Sequence, residues 1–273
     1  MAPNRGGLDA VVLGGSTGAL SAVLLQPLDV IKTQMQIAPS RVGVGACMVQ
    51  VYRKSGPFGF WRGLSPSLVR TVPGAGLYFG LVHNLQLALG AKDTSRLSIT
   101  NLAIGGGCRG AVALLLLPAT VLKARAESGL FQDEGIVRGL RHLWAREGIS
   151  GLFKGGLPTV LRDAPFSGLY LSLFEAFKTH LRARGMGADA SAMVGGLAAG
   201  TLASYITQPF DVIKTRVQVH EGHVSAWSIL KELIQSPSAL FRGSLPRVVR
   251  RASVAALNWT LFDKLIRAWH ERH

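Results

Sequence analysis

The sequence predicts an all-α membrane protein: six transmembrane helices in three pseudo-threefold repeats, with a short surface helix inside each repeat. Three observations predict it. The segment that opens at Pro27 as PLDVIKTQ returns at Pro118 as PATVLKAR and at Pro209 as PFDVIKTR, 91 residues apart each time in a chain of 273. A fixed period of this kind decides the fold before any local feature does. The composition is 48% hydrophobic and only 16% charged, with mean hydropathy +0.29. Uncharged stretches run over residues 10–28, 71–91 and 190–210, each about the ~20 residues that cross a hydrocarbon core as a helix.

The elements follow in order. Repeats are expected over 1–92, 93–184 and 185–273, with an odd-numbered helix opening each one (about 8–37, 97–126 and 188–219). Those helices carry Gly14-x-x-x-Gly18, Gly105-x-x-x-Arg109 and Gly196-x-x-x-Gly200, where small residues four apart let backbones approach closely in lipid. The recurring proline removes a backbone donor and predicts a bend at the same place three times. Next come basic, amphipathic segments such as residues 135–147, too polar to span and read as helices lying at the membrane surface. The even-numbered helices follow the triplets Trp61-Arg62-Gly63, Phe153-Lys154-Gly155 and Phe241-Arg242-Gly243. Three of the six spans are less regular: Arg109 interrupts 98–122, while 164–174 and 252–262 are short. Charges inside spans are tolerated where they face a water-filled cavity.

PLDVIKTQ, PATVLKAR and PFDVIKTR resemble the signature of the mitochondrial carrier family, Pro-x-[Asp/Glu]-x-x-[Lys/Arg]-x-[Lys/Arg], in all three repeats. The resemblance covers the whole chain. It implies a multi-pass protein of the inner membrane, both termini toward the intermembrane space, surface helices on the matrix side, and transport by alternating access as a monomer rather than catalysis. Within the family, residues 161–170 (LRDAPFSGLY) and Ala126-Glu127-Ser128-Gly129 are similar to the branch that carries glycine for 5-aminolevulinate and haem synthesis. A carrier of another amino acid or small carboxylate, and a carrier-fold protein with a regulatory or structural role, are the competing readings.

Carried over residue by residue, the resemblance pairs Asp29 with Lys123 and Asp211 with Lys32 in a matrix gate. Thr120 stands where an acid would face Lys214, so the third pair is missing. Gln36 and Gln218 take the bracing position beside this network, and Glu127 takes it in repeat two. The opposite, cytoplasmic gate is expected at Glu175, Lys178 and Asp263, and it lacks a complete set of bases because Ile266 and Gln86 replace them. This predicts a weak cytoplasmic gate and a resting preference for the state open to that side. The three aromatic-basic-Gly triplets match the family's cardiolipin pattern.

Substrate contacts are expected near the midplane at Arg70 and Thr71, Arg162 and Asp163, and Arg250 and Arg251. An arginine holds a carboxylate by charge-assisted hydrogen bonds and Asp163 can receive an ammonium, so a small amino acid would satisfy both. Arg109 adds a cation where the other repeats have glycine, and it is expected to face the cavity. Other function classes find no support. Cys47 and Cys108 have neither metal-ligand nor disulfide spacing, and the seven histidines form no cluster with a nucleophile. Gly14-Gly15-Ser16-Thr17-Gly18 looks like a dinucleotide-binding turn, but its pattern recurs inside apolar helices, where packing explains it better. A net charge of +15 would suggest nucleic acid in a soluble chain; here the basic residues sit at helix ends and match anionic lipid headgroups. No cofactor, metal or cleavable leader is expected.

Overall fold

The computed structural model describes residues 5–88, 99–131, 135–222 and 224–254. Repeat one forms α1 (Arg5–Ile37), α2 (Val44–Ser55), a 3-10 turn over Pro57–Trp61 and α3 (Leu64–Ala88). Repeat two forms α4 (Ile99–Leu115), α5 (Leu117–Ser128), α6 (Ile136–Leu152) and α7 (Gly156–Ala183). Repeat three forms α8 (Ala188–Ile206), α9 (Gln208–Val219), α10 (Ala226–Ile234), a second 3-10 turn over Pro237–Phe241, and a last helix, α11, described over residues 244–254. Repeats one and two share a local break: Gly56 (φ 63°, ψ −166°), which ends α2, has its counterpart in Gly148 (φ 64°, ψ −159°), which kinks α6.

The expected bend appears in two repeats of three. Between α4 and α5 the axis turns by 64°, and between α8 and α9 by 57°, each break lying just before a proline. α1 instead runs unbroken through Pro27. The difference has a chemical cause in the aromatic triplets. Pro27 cannot donate to the carbonyl of Val23, one turn back, and the indole N–H of Trp61 donates to that oxygen instead at 3.0 Å. Phe153 and Phe241 hold the same place in the other repeats and have no donor; Phe241 stacks on Tyr205 at 4.9 Å, the residue one turn before Pro209. Trp61→Phe is therefore expected to lower stability by about 1 kcal/mol, the worth of one hydrogen bond. Thermal unfolding checks it, and an unchanged midpoint would remove the tryptophan from this account.

Packing orders the helices as α1, α3, α4, α7 and α8, each against the next, while α1, α5 and α9 also meet one another. Gly18 lets α1 and α3 close up: a Cβ there would lie 2.9 Å from the methyl of Thr71. The short helices cap the segments after each proline with apolar clusters. Cys47 and Val51 of α2 pack on Val30 and Ile31, Leu143 of α6 on Leu117 and Val121, and Ile229 and Leu233 of α10 on Val212, Ile213 and Val217. Among the described residues no single helix is long and apolar enough to cross a membrane, whereas two bent pairs, α4 with α5 and α8 with α9, have the length and composition to do so. α3 and α7 are diluted by polar side chains: His83 and Asn84 in the first, Arg162, Asp163, Glu175 and Lys178 in the second.

Candidate functional site

The charged residues of the repeated motif converge where α1, α5 and α9 meet. Lys123 Nζ lies 2.6 Å from Asp29 Oδ2, and Lys32 Nζ lies 2.6 Å from Asp211 Oδ2. All four side chains are more than four-fifths buried. The third position matches the vacancy in the sequence. Thr120 donates its hydroxyl to the carbonyl of Leu116, at the break before α5, at 3.0 Å, and Lys214 forms no ion pair among the described residues although only 5% of it is exposed.

The bracing residues behave differently from one another. Gln36 donates to Asp211 Oδ2 at 2.8 Å. Glu127 lies 3.2 Å from Lys123 and accepts from Thr33 at 2.8 Å and Gln26 at 3.2 Å, so two carboxylates share one ammonium. Gln218 donates to the backbone carbonyl of Lys154 at 3.5 Å rather than to a charged side chain of the motif.

The even-numbered helices bring the expected substrate residues to the same place, but most are already engaged. Arg162 contacts Asp163 at 2.6 Å and Asp211 at 2.9 Å. Arg250 Nε lies 2.5 Å from Asp29 Oδ1. Arg251 stands over the ring of Phe166 at 3.5 Å. Arg70 has a buried Nε with no hydrogen-bond partner. Thr71 donates to Ser67 of its own helix at 2.8 Å and packs its methyl toward Gly18, so its visible contacts are those of helix packing. Arg109 stands apart from this cluster: it is exposed, with its guanidinium 5.5 Å from the ring of Tyr78.

Arg247 belongs to the cluster and was not anticipated. It occupies the place held by Ser67 and Thr159 in the other repeats. It donates to Gln208 and Thr207 at 2.9 Å each and comes within 4.0 Å of Asp211. The signal was available, since a basic residue replaces a small hydroxyl directly after a repeated proline.

At the other end of the helices, Glu175 and Lys178 pair within α7 at 3.2 Å, and Lys178 also lies 5.3 Å from the Phe174 ring. Asp263 falls outside the described residues.

The aromatic-basic-Gly triplets sit at the seams between repeats. Lys154 donates to the carbonyls of His220, at 2.5 Å, and Gly222, and Arg242 donates to that of Ala38. Burial pulls the Lys154 ammonium below the usual lysine range, against the opposing pull of Glu147. Gly63, Gly155 and Gly243 all have positive φ, at 74°, 72° and 72°. A Cβ on them would come within 3.1 Å of Lys123 O, 2.9 Å of Gln218 Cγ and 3.0 Å of Lys32 O respectively, so glycine satisfies both the turn and the close approach. A second ring of bonds runs alongside: Arg125 donates to Gln218 O at 3.0 Å, Arg216 to Gln36 O at 3.1 Å and Gln34 to Glu127 O at 3.4 Å.

These seams make a prediction. Gly222 also has positive φ, at 70°, but a Cβ there meets nothing within 4 Å. Gly222→Ala is expected to cost about 1 kcal/mol through its backbone alone, and Gly243→Ala to cost about 2–3 kcal/mol because the neighbouring helix must also shift. Equal melting points for the two variants would contradict the seam account.

The comparison with known proteins agrees with this architecture. The family profile described as "Mitochondrial carrier protein" matches residues 5–93, 95–185 and 189–273. A protein of Rattus norvegicus named mitochondrial glycine transporter is 36% identical over 273 residues, covering 95% of this chain and 83% of the relative. The mitochondrial glycine transporter A of Danio rerio is 37% identical, covering 94% of each chain. The mitochondrial glycine transporter of Eremothecium gossypii is 37% identical, covering 99% of this chain and all of the relative.

Proposed function

This chain belongs to the mitochondrial carrier family, whose members are multi-pass transporters of the inner membrane and not enzymes, and on that premise we propose that it imports glycine into the matrix for 5-aminolevulinate and haem synthesis. The observation that carries the reading is the buried cluster at the meeting of α1, α5 and α9. It joins two inter-repeat ion pairs of 2.6 Å directly to the arginines of the even-numbered helices. Names borne by relatives that align along nearly the whole chain supply the cargo.

In this reading Asp29–Lys123 and Lys32–Asp211 are the matrix gate, closed, and Glu175, Lys178 and Asp263 belong to the cytoplasmic one. Substrate enters from the cytoplasmic side and meets Arg70, Arg162, Asp163, Arg250 and Arg251 above the closed gate. Asp163 receives its ammonium and a cation of the cluster its carboxylate. Arg109 stands away from that cluster, so its part is to raise the entry potential rather than to hold substrate. The three repeats (1–92, 93–184 and 185–273) move around this fixed site as one transport domain in a monomer, the general logic of repeat-built transporters. Both termini face the intermembrane space.

Cardiolipin is assigned to the triplet seams, where Trp61, Phe153 and Phe241 are 41%, 48% and 37% exposed beside Arg62, Lys154 and Arg242. The lysine and the second arginine hold backbone carbonyls, so the lipid would bridge seams that protein groups already join.

Purified protein in cardiolipin-containing liposomes is expected to accumulate labelled glycine, with unlabelled glycine the strongest competitor among small amino acids. Uptake of a different amino acid but not glycine would redirect the assignment. No uptake of any, by protein that cardiolipin stabilises against heat, would end the transport reading.

A further inference from the structure

We infer that the carboxylate of the transported amino acid is received by Lys214, in the space where repeat two lacks an acid at Thr120, with Arg70 beside it and Asp163 taking the ammonium. The inference rests on the reading of the site given above and names the cation that reading left open.

Three observations carry it. The two other lysines of the repeated motif each have an acid at 2.6 Å, while Lys214 is equally buried, at 5% exposure, and has no ion pair among the described residues. A buried ammonium with no acid in direct contact is unfavourable, and the hydroxyl of Thr120 does not offset it because it donates to the Leu116 carbonyl at the start of α5. Of the four arginines first expected to hold the carboxylate, Arg162 is held by Asp163 and Asp211, Arg250 by Asp29, and Arg251 stands over the Phe166 ring. The charges acting on Lys214 are Arg162, Asp163, Arg70 and Asp211, and of these cations Arg70 has a buried Nε without a hydrogen-bond partner. An anion placed between Lys214 and Arg70 meets two unengaged donors, with Asp163 in reach of an attached ammonium.

The surplus of positive charge now has a purpose. Lys32, Arg70, Lys123, Arg162, Lys214, Arg247, Arg250 and Arg251 face Asp29, Glu127, Asp163 and Asp211. An internal acid at position 120 would complete the third gate pair whether or not cargo were present. With threonine there, Lys214 has no acid in direct contact among the described residues, and a bound carboxylate supplies one, so the cargo completes the gate it must pass. An amine that lacks a carboxylate cannot do this.

Thermal protection by glycine, measured on the full chain with cardiolipin, tests the inference in two variants. Thr120→Asp supplies the missing acid. It is expected to raise the melting point of the ligand-free protein while weakening half-saturation by glycine at least about tenfold, the scale of one charge-assisted hydrogen bond. Lys214→Gln is expected to weaken glycine by a similar factor without lowering the ligand-free melting point. Wild-type affinity for glycine in both variants would overturn the carboxylate site. A wild-type protein that neither binds nor moves glycine would instead sink the functional reading. The site is then judged with acetate as probe: protection that Thr120→Asp removes keeps it, and no protection ends it.

Discussion

Asp211→Asn is expected to lower the melting temperature by about 10 °C, more than the equivalent change at Asp29. Asp211 is 1% exposed and ties together all three repeats. It meets Lys32 of α1 at 2.6 Å, Gln36 of α1 at 2.8 Å and Arg162 of α7 at 2.9 Å, with Arg247 of α11 at 4.0 Å. The asparagine keeps the shape but leaves three cations facing one another in a buried space. Removing one partner of a buried pair costs about 3–5 kcal/mol, and a chain of this size loses about 2–4 °C per kcal/mol. Asp29→Asn is milder because Lys123 keeps Glu127 at 3.2 Å, leaving mainly Arg250 without its acid. The ordering is the sharper test: equal losses at the two positions would show that Glu127 does not share the ammonium of Lys123. The same substitution should also bias the protein toward the matrix-open form, read as increased labelling of a cysteine introduced below the gate.

The pairs at Asp29 and Asp211 were legible because the repeated motif resembles the carrier signature, whose acids pair with the base of the next repeat, and the 91-residue period shows which residues correspond. A face that each repeat cannot bury alone must meet its neighbour at a fixed phase. The vacancy at Thr120 was legible for the same reason. The bonds from Arg162 and Arg250 to the gate acids were not, because they depend on how an even-numbered helix leans across an odd one, and no period within the sequence encodes that lean. The unbroken α1 was hidden as well: the proline was visible, but the indole that satisfies Val23 lies 38 residues further on. The glycines of the aromatic triplets read as part of a lipid motif, whereas their positive φ and contact with the next repeat explain them by themselves. Arg247 carries its own signal in the sequence, since Ser67 and Thr159 mark its place as one where the repeats differ.

Arg162→Ala is expected to reduce glycine uptake about a hundredfold while changing its half-saturation far less. The distinction follows from what the guanidinium touches. Its Nε and one terminal nitrogen hold Asp163 Oδ1, at 2.7 Å and 2.6 Å, and its other terminal nitrogen holds Asp211 Oδ1 at 2.9 Å. It therefore links the acid assigned to the substrate ammonium with the acid assigned to the gate. When an ammonium approaches Asp163 it competes with Arg162 for that carboxylate, and any movement of the arginine acts directly on Asp211. Two charge-assisted bonds of about 1.5–3 kcal/mol each are enough for a differential effect of about 3 kcal/mol between closed and open gates, or about a hundredfold in rate. Loss of the arginine leaves Asp163 still able to receive the ammonium but no longer connected to the gate, so cargo is held and not passed on. Arg162→Lys is expected to recover only part of the rate, because a single ammonium cannot span both acids with the fixed fork of a guanidinium. Measured in proteoliposomes, a large loss of affinity with little loss of maximal rate would identify Arg162 as the carboxylate receptor instead, and would return Lys214 to the gate alone.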